Sequence, residues 1–145
     1  MSIIAENRKA HFDYIIEETI EAGIKLLGFE VKSAKHGKLE LAGSYVIIRG
    51  GEAWLINSKI APEQPKNAPA DYEPSHIRKL LLNKKEISRL AGVLDQKTYS
   101  AVGLSAKVKK NLIKIEIGVG RSKKKSDKRE TIKKRETLRE IRREV

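Results

Sequence analysis

The final twenty-five residues, Arg121 to Val145, carry the densest chemistry in the chain. Twelve of them are Lys or Arg and five are Asp or Glu, a surplus of seven out of a formal net charge of +12, which leaves a surplus of five for residues 1–120. Clustered cations attract polyphosphate backbones and gain affinity by releasing condensed counterions, so the charge favours nucleic acid over acidic proteins or anionic membranes. The large apolar residues of this segment are Ile132, Leu138, Ile141 and Val145, too few to offset the entropy of ordering it. A mobile basic tail over 121–145 is therefore expected behind a domain over 1–120. Asp127 and Glu130 have the spacing of a helix cap, Glu130 and Lys134 form an i,i+4 pair, and the apolar residues fall near one helical face. That pattern suits a helix that forms on a partner.

No comparable constellation exists for catalysis. The chain has no cysteine, and its histidines, His11, His36 and His76, lie far apart. Disulfides, Cys-type zinc sites and thiol nucleophiles are excluded, and a reducing compartment fits. The carboxylate doublet Glu17-Glu18 falls in a strand-like stretch, where neighbouring side chains point to opposite faces and cannot share a site. No catalytic residue, metal site or cofactor is predicted. The start, MSIIAENRKA, lacks the apolar segment of a signal peptide, and no run approaches the roughly 20 apolar residues of a membrane helix. A soluble, cytoplasmic monomer without membrane contact is expected.

The remaining candidates need elements to position them. Phe12 to Leu26 alternates apolar and polar residues, which predicts one long strand with a bend or bulge at Gly23. Glu30 to His36 reads as a short helix closed by Gly37. Leu39 to Arg49 and Glu52 to Asn57 read as strands joined by a Gly50-Gly51 hairpin turn. Four prolines between Pro62 and Pro74 demand an irregular loop. Ile77, Leu80, Leu81, Ile87, Leu90 and Leu94 recur at helical spacing, Arg78 to Leu82 reads as amphipathic helix, and Asn83 to Glu86 resembles a capping box from which a helix restarts. Val102 to Val108 and Ile113 to Val119 alternate around a turn at Lys109 to Asn111. Strands on both sides of a central helix predict a mainly β protein, an antiparallel barrel of the oligonucleotide-binding kind with about three packed helices. On that frame Asn7-Arg8-Lys9 could grip phosphate and sugar, or end as a solvated terminus. Trp54 and Tyr45 could stack on bases, or serve the core.

Together the stretches NRKAHFDY at 7–14, EAGIKLLGFEVKS at 21–33, GEAWL at 51–55, RKLLLNKKEI at 78–87 and KKKSDKRETIKKRE at 123–136 resemble the small protein B family. They span nearly the whole chain in the family's order. The resemblance implies an oligonucleotide-binding-like barrel without enzymatic activity that grips the tRNA-like domain of transfer-messenger RNA and serves ribosome rescue by trans-translation. It further implies that the tail enters the decoding centre and empty mRNA channel of the small ribosomal subunit. Carried over by position, Asn7, Arg8, Lys9, Glu30, Lys32, Leu90, Lys123 and Lys124 belong to the RNA-binding side. Asp127, Lys128, Arg129, Ile132, Lys133, Lys134 and Arg135 belong to the decoding-centre segment. Ser126 stands where the family usually has a ring, Ser122 where it has glycine, and Lys107-Val108 where it has aromatics. The alternative is a structural ribosomal or ribosome-biogenesis protein that fastens folded rRNA with the same barrel and arm.

Overall fold

A computed structural model describes residues 2–64, 66 and 68–123. The elements run β1 (Ser2–Glu6), α1 (Arg8–Asp13), β2 (Tyr14–Ile24), α2 (Gly28–Lys35), β3 (Leu39–Glu40), β4 (Tyr45–Arg49), β5 (Glu52–Ile56) and β6 (Lys59–Ile60). After a long loop come β7 (Arg78–Leu81), α3 (Lys84–Leu94), β8 (Tyr99–Lys109) and β9 (Leu112–Ser122). The described chain is mainly β with three helices, as its alternation predicts. Seven strands follow the order β1-β8-β4-β5-β7-β2-β9, every pairing antiparallel, and β9 also pairs with β8. Strands β3 and β6 form a separate small ladder.

The alternating residues converge on one core. Leu55, Ile115 and Ile117 are wholly buried beside Ala22, Val46, Leu80 and Val119, and each large side chain contributes about 1.5–3 kcal/mol by leaving water. Leu90 of α3 enters the same core. The hairpin β4–β5 turns at Gly50 and Gly51, whose φ values of 62° and 73° suit a turn that matches the strand twist. Helix α3 carries the predicted box: Asn83 Oδ1 accepts from the Glu86 amide at 2.8 Å, and Glu86 Oε1 accepts from the Asn83 amide at 3.1 Å. No helix among the described residues is long and apolar enough to cross a membrane.

Four local expectations need correction. The predicted strand from Phe12 begins only at Tyr14, because α1 claims the preceding residues. Asn7 caps that helix, and Ala10 is buried against Val102 and Leu104, so tertiary packing outweighs side-chain parity. No bulge occurs at Gly23, which pairs in register with Leu81 and Lys114. The irregularity lies instead between Ile16 and Glu18, where a Cβ on Gly120 would stand 1.9 Å from the Ile15 carbonyl oxygen. Only glycine admits so close an approach. Arg78 to Leu81 is a strand between β5 and β2. Its inward Arg78 and Leu80 and outward Lys79 and Leu81 have period two, which so short an apolar run does not distinguish from a helical turn. Leu39 to Arg49 is interrupted by a turn in which the Ser44 amide donates to Leu41 O at 2.9 Å and Gly43 adopts φ 82°.

Candidate nucleic-acid interface

The N-terminal cluster divides at its cap. Asn7 is 3% exposed. Its Oδ1 accepts from the Ala10 amide at 3.1 Å, while Nδ2 donates to Leu41 O at 3.0 Å and to Gly103 O at 2.8 Å. Both amide hydrogens thus tie α1 to the β3–β4 connection and to β8. Arg8 and Lys9, the next two residues, are exposed. Arg8 stands 3.9 Å from Glu6 across open solvent, a pairing too wet and long to neutralise it. One buried amide therefore presents two cations.

A second group surrounds Glu30, placed at the first turn of α2 with a fully buried carboxylate. Oε1 accepts from the Leu27 amide at 2.9 Å. Oε2 accepts from Arg78 Nη2 at 2.6 Å and Nε at 3.1 Å, with His76 Nε2 at 2.9 Å. The Tyr72 hydroxyl lies 2.8 Å from both Glu30 Oε2 and Ile60 O. Burial pushes the Glu30 carboxyl up, but the Leu27 amide bond, Arg78 and Tyr72 outweigh it and hold the group below the ordinary glutamate value. The Tyr72 hydroxyl is pushed up to about 12, first by burial and then by the Glu30 charge. Arg78 is itself fully buried and donates to Ser58 O at 2.9 Å, Ser58 Oγ at 3.0 Å and Pro74 O at 2.8 Å. The guanidinium thereby joins α2, the β5–β6 turn and the proline-rich loop. Lys32, one turn along α2, is exposed.

Charge reading places Glu30 near Lys32 but does not single out Arg78, Tyr72, His76 or Ser58. The one available signal was Arg78 itself, since it shares parity with Leu80 once Arg78 to Leu81 is taken as a strand. Leu90 is buried in the core, so it can act on RNA only by holding α3 in place.

A cleft of about 670 Å³ opens between α1, α3, β4 and β8. Strands β4 and β8 share one ladder pair, Tyr45 with Val102. Beyond it Val46 to Ile48 and Tyr99 to Ala101, which would have continued the ladder, instead line the cleft. Tyr14, Tyr45 and Tyr99, three of the chain's four tyrosines, line it too, with Lys9, Asp13 and Asp95. Tyr45 is 41% exposed. The Glu17 carboxylate bonds the Tyr99 hydroxyl and holds its pKa above the usual tyrosine value. Trp54 stays away from the cleft, its Nε1 donating to Arg49 O at 3.1 Å.

Of the predicted site residues, Asn7, Lys9 and the root of the tail come together here. The Lys123 amide donates to Asp13 O at 2.8 Å, and Asp13 lines the cleft. Glu30 and Lys32 belong to the separate group around Arg78. Lys124 and the decoding-centre set, Asp127, Lys128, Arg129, Ile132, Lys133, Lys134 and Arg135, lie outside the described residues. Glu17 and Glu18 do not cooperate: Glu17 stands 3.6 Å from Arg121, and Glu18 pairs with Arg89.

Comparison with known proteins gives a consistent picture. An SsrA-binding protein of Azotobacter vinelandii (strain DJ) is 48% identical over 142 residues, covering 98% of this chain and 89% of the relative. One from Roseiflexus sp. (strain RS-1) is 48% identical over 141 residues, covering 97% and 89%. A solved structure reported as "tmRNA-SmpB: a journey to the center of the bacterial ribosome" contains a chain 39% identical to this one. It superposes with a TM-score of 0.71 over 91% of this chain and 95% of that one. The family described as SmpB protein matches residues 4–145. On sequence along its whole length and on fold alike, the chain belongs to the SmpB protein family.

Proposed function

We propose that this protein is an RNA-binding adaptor that holds the tRNA-like domain of transfer-messenger RNA and delivers it to stalled ribosomes for trans-translation. The observation that carries this reading is the nearly full-length match to SsrA-binding relatives, together with the likeness to a chain solved with tmRNA in the ribosome context. The protein works as a cytoplasmic monomer and catalyses no step itself. Residues 1–120 form an oligonucleotide-binding-like barrel, a reading supported by the ladder that runs from β8 through β4, β5, β7 and β2 to β9 and meets β8 again. Residues 121–145 are the arm for the small subunit's decoding centre and mRNA channel.

Within that reading Arg8, Lys9, Lys32, Lys123 and Lys124 supply phosphate contacts, whose affinity falls steeply with salt. Asn7, Glu30 and Leu90 act from inside, by fixing the elements that present those cations. Glu30 repels phosphate as a bare charge and helps by anchoring Arg78 and Tyr72. Glu30→Ala should therefore weaken RNA binding although it raises the net positive charge, and binding that is unchanged or tighter would return Glu30 to a purely structural role. Asp127, Lys128 and Arg129, with Ile132, Lys133, Lys134 and Arg135, act after recruitment. Replacing Asp127, Lys128 and Arg129 together by Ala should leave binding to free transfer-messenger RNA intact and stop peptide tagging.

The decisive experiment is to capture the full chain from cells and identify the RNA that accompanies it. Stoichiometric transfer-messenger RNA is the expected result. Recovery of rRNA alone would overturn it in favour of a structural ribosomal or ribosome-biogenesis role.

A further inference from the structure

The group around Arg78 holds one histidine, the side-chain type that changes charge near neutral pH, and its surroundings suit only one of its two states. His76 turns both ring nitrogens towards acceptors. Nε2 lies 2.9 Å from Glu30 Oε2, and Nδ1 lies 3.0 Å from Ile77 O. A neutral imidazole carries a single N–H and leaves one of these oxygens without its donor, whereas the imidazolium serves both.

His76 also ends a stretch of chain that lies against α2. Residues 68–76 close the proline-rich loop, and within them the Tyr72 ring meets Phe29 of α2 edge-on at 4.7 Å and stands 5.8 Å from the His76 ring. Arg78 holds the backbone of the same stretch, donating to Pro74 O at 2.8 Å and to His76 O at 3.3 Å. The His76 side chain is 34% exposed, against 0% for Glu30 and Arg78. Solvent protons therefore reach the ring although its partner is buried. The titratable and charged groups around it are Glu30 from α2, Arg78 from β7, and Tyr72 and Glu73 from the loop. Carboxylates, tyrosine and arginine ordinarily titrate outside pH 5–8, which leaves the imidazole to change across that range.

From this geometry we infer that His76 is a proton-operated catch: its imidazolium bridges Glu30 Oε2 and Ile77 O and clips residues 68–76 onto α2, and loss of the proton loosens them. The fastened state holds the proton, so it is most populated at the acid end of the histidine range and declines as pH rises through it. Arg78 keeps its charge and its hold on Pro74 O throughout, so the stretch slackens without coming away. Glu30 then loses one of its donors at the first turn of α2, the helix that presents Lys32. The catch is a property of the fold and stands whichever RNA the chain binds.

The test is amide hydrogen exchange of the full chain at about pH 5 and about pH 8, the two ends of the histidine range, each rate divided by its intrinsic value at that pH. The amides of Ile60, Tyr72 and His76 report on the stretch through their bonds to Pro74 O, Pro69 O and Glu73 O, and the Ile87 amide in α3 serves as control. Protection of the first three should be about fivefold higher at the acid pH, the scale on which a charge-assisted hydrogen bond exceeds a neutral one, with Ile87 unchanged. His76→Gln, neutral throughout, should show the lower protection at both pH values. His36→Gln should keep the full dependence, because the pair of His36 with Glu63 lies largely in water. In the unaltered chain the His76 ring signals, followed by NMR, should titrate with the same midpoint as the protection. Equal protection at both pH values, a dependence that survives His76→Gln, or a ring midpoint that differs from that of the protection would each overturn the inference, and the first and third need no variant to fold.

Discussion

The buried group around Arg78 and the open cleft beside Tyr45 handle polar atoms in opposite ways. At Arg78 every charge is out of water and met by a partner: one guanidinium reaches Glu30, Ser58 and Pro74, and the Glu30 carboxylate accepts from a backbone amide as well. At the cleft, Tyr45 faces solvent, and β4 and β8 pair with each other only at Tyr45 and Val102. The first region holds shape, since removing Arg78 or Glu30 strands the buried charge of the other. The second leaves a cavity between two strands that pair with each other at one position only.

The sharpest way to break the comparison is Arg78→Met. It leaves the Glu30 charge buried without its main partner, and the expected loss is about 3–5 kcal/mol of stability, read by urea denaturation. The double variant Glu30→Gln with Arg78→Met should be less destabilised than Arg78→Met alone, since the stranded charge is gone. A single variant of near wild-type stability would show that the group is not a fastening.

Asn7→Ala probes the lining of the cleft. It removes a helix cap and leaves Leu41 O and Gly103 O without their donor. About 2–3 kcal/mol should be lost, with RNA binding weakened in step with the folded fraction. Arg8→Ala and Lys9→Ala should each change stability by less than about 0.5 kcal/mol. Each should also lower the slope of log affinity against log salt by about one, if each cation meets a phosphate.

The smallest effects concern pH. The Glu30 carboxyl titrates below its ordinary 4.5 in the folded chain, so between those values the unfolded chain binds more protons and stability rises with pH. Its contribution is complete above 4.5 and is lost as pH falls through the folded value. Glu30→Gln should flatten that part of the acid limb. Tyr72 is raised from 10.0 to about 12, so the folded chain holds a proton the unfolded chain has released. Its contribution is complete below pH 10.0 and is lost as pH rises through about 12, and Tyr72→Phe should remove this alkaline slope. Thermal unfolding across both limbs checks the pair.

Much of the fold was legible where a signal is local. Gly50-Gly51 demanded a hairpin because few residues tolerate positive φ at both positions. Asn83 and Glu86 marked the start of α3 through their reciprocal bonds. The alternation in β8 and β9 required a buried face. Legibility failed at Arg78 to Leu81, where four residues satisfy either period, and at Phe12, where an alternating run conceals a helix capped from Asn7. In the candidate site, the exposed Arg8, Lys9 and Lys32 were legible as charge. Tyr45 was legible only as one of two aromatic candidates, and Arg78, Tyr14 and Tyr99 were not legible, because their neighbours come from distant parts of the chain.

By itself the sequence determined the surplus of cations, the absence of cysteine chemistry, the family resemblance and the places where turns and caps must fall. These depend on composition or on residues a few positions apart, and the backbone enforces them locally. Tertiary structure alone decided that Glu30 answers to Arg78 rather than to Lys32, forty-eight positions against two. It alone decided that Asn7 faces inward and that β4 and β8 part after a single pair. Such outcomes come from the competition of whole strands and helices for one core, where burying Arg78 is tolerable only because Glu30, Ser58 and Pro74 arrive together from three separate segments.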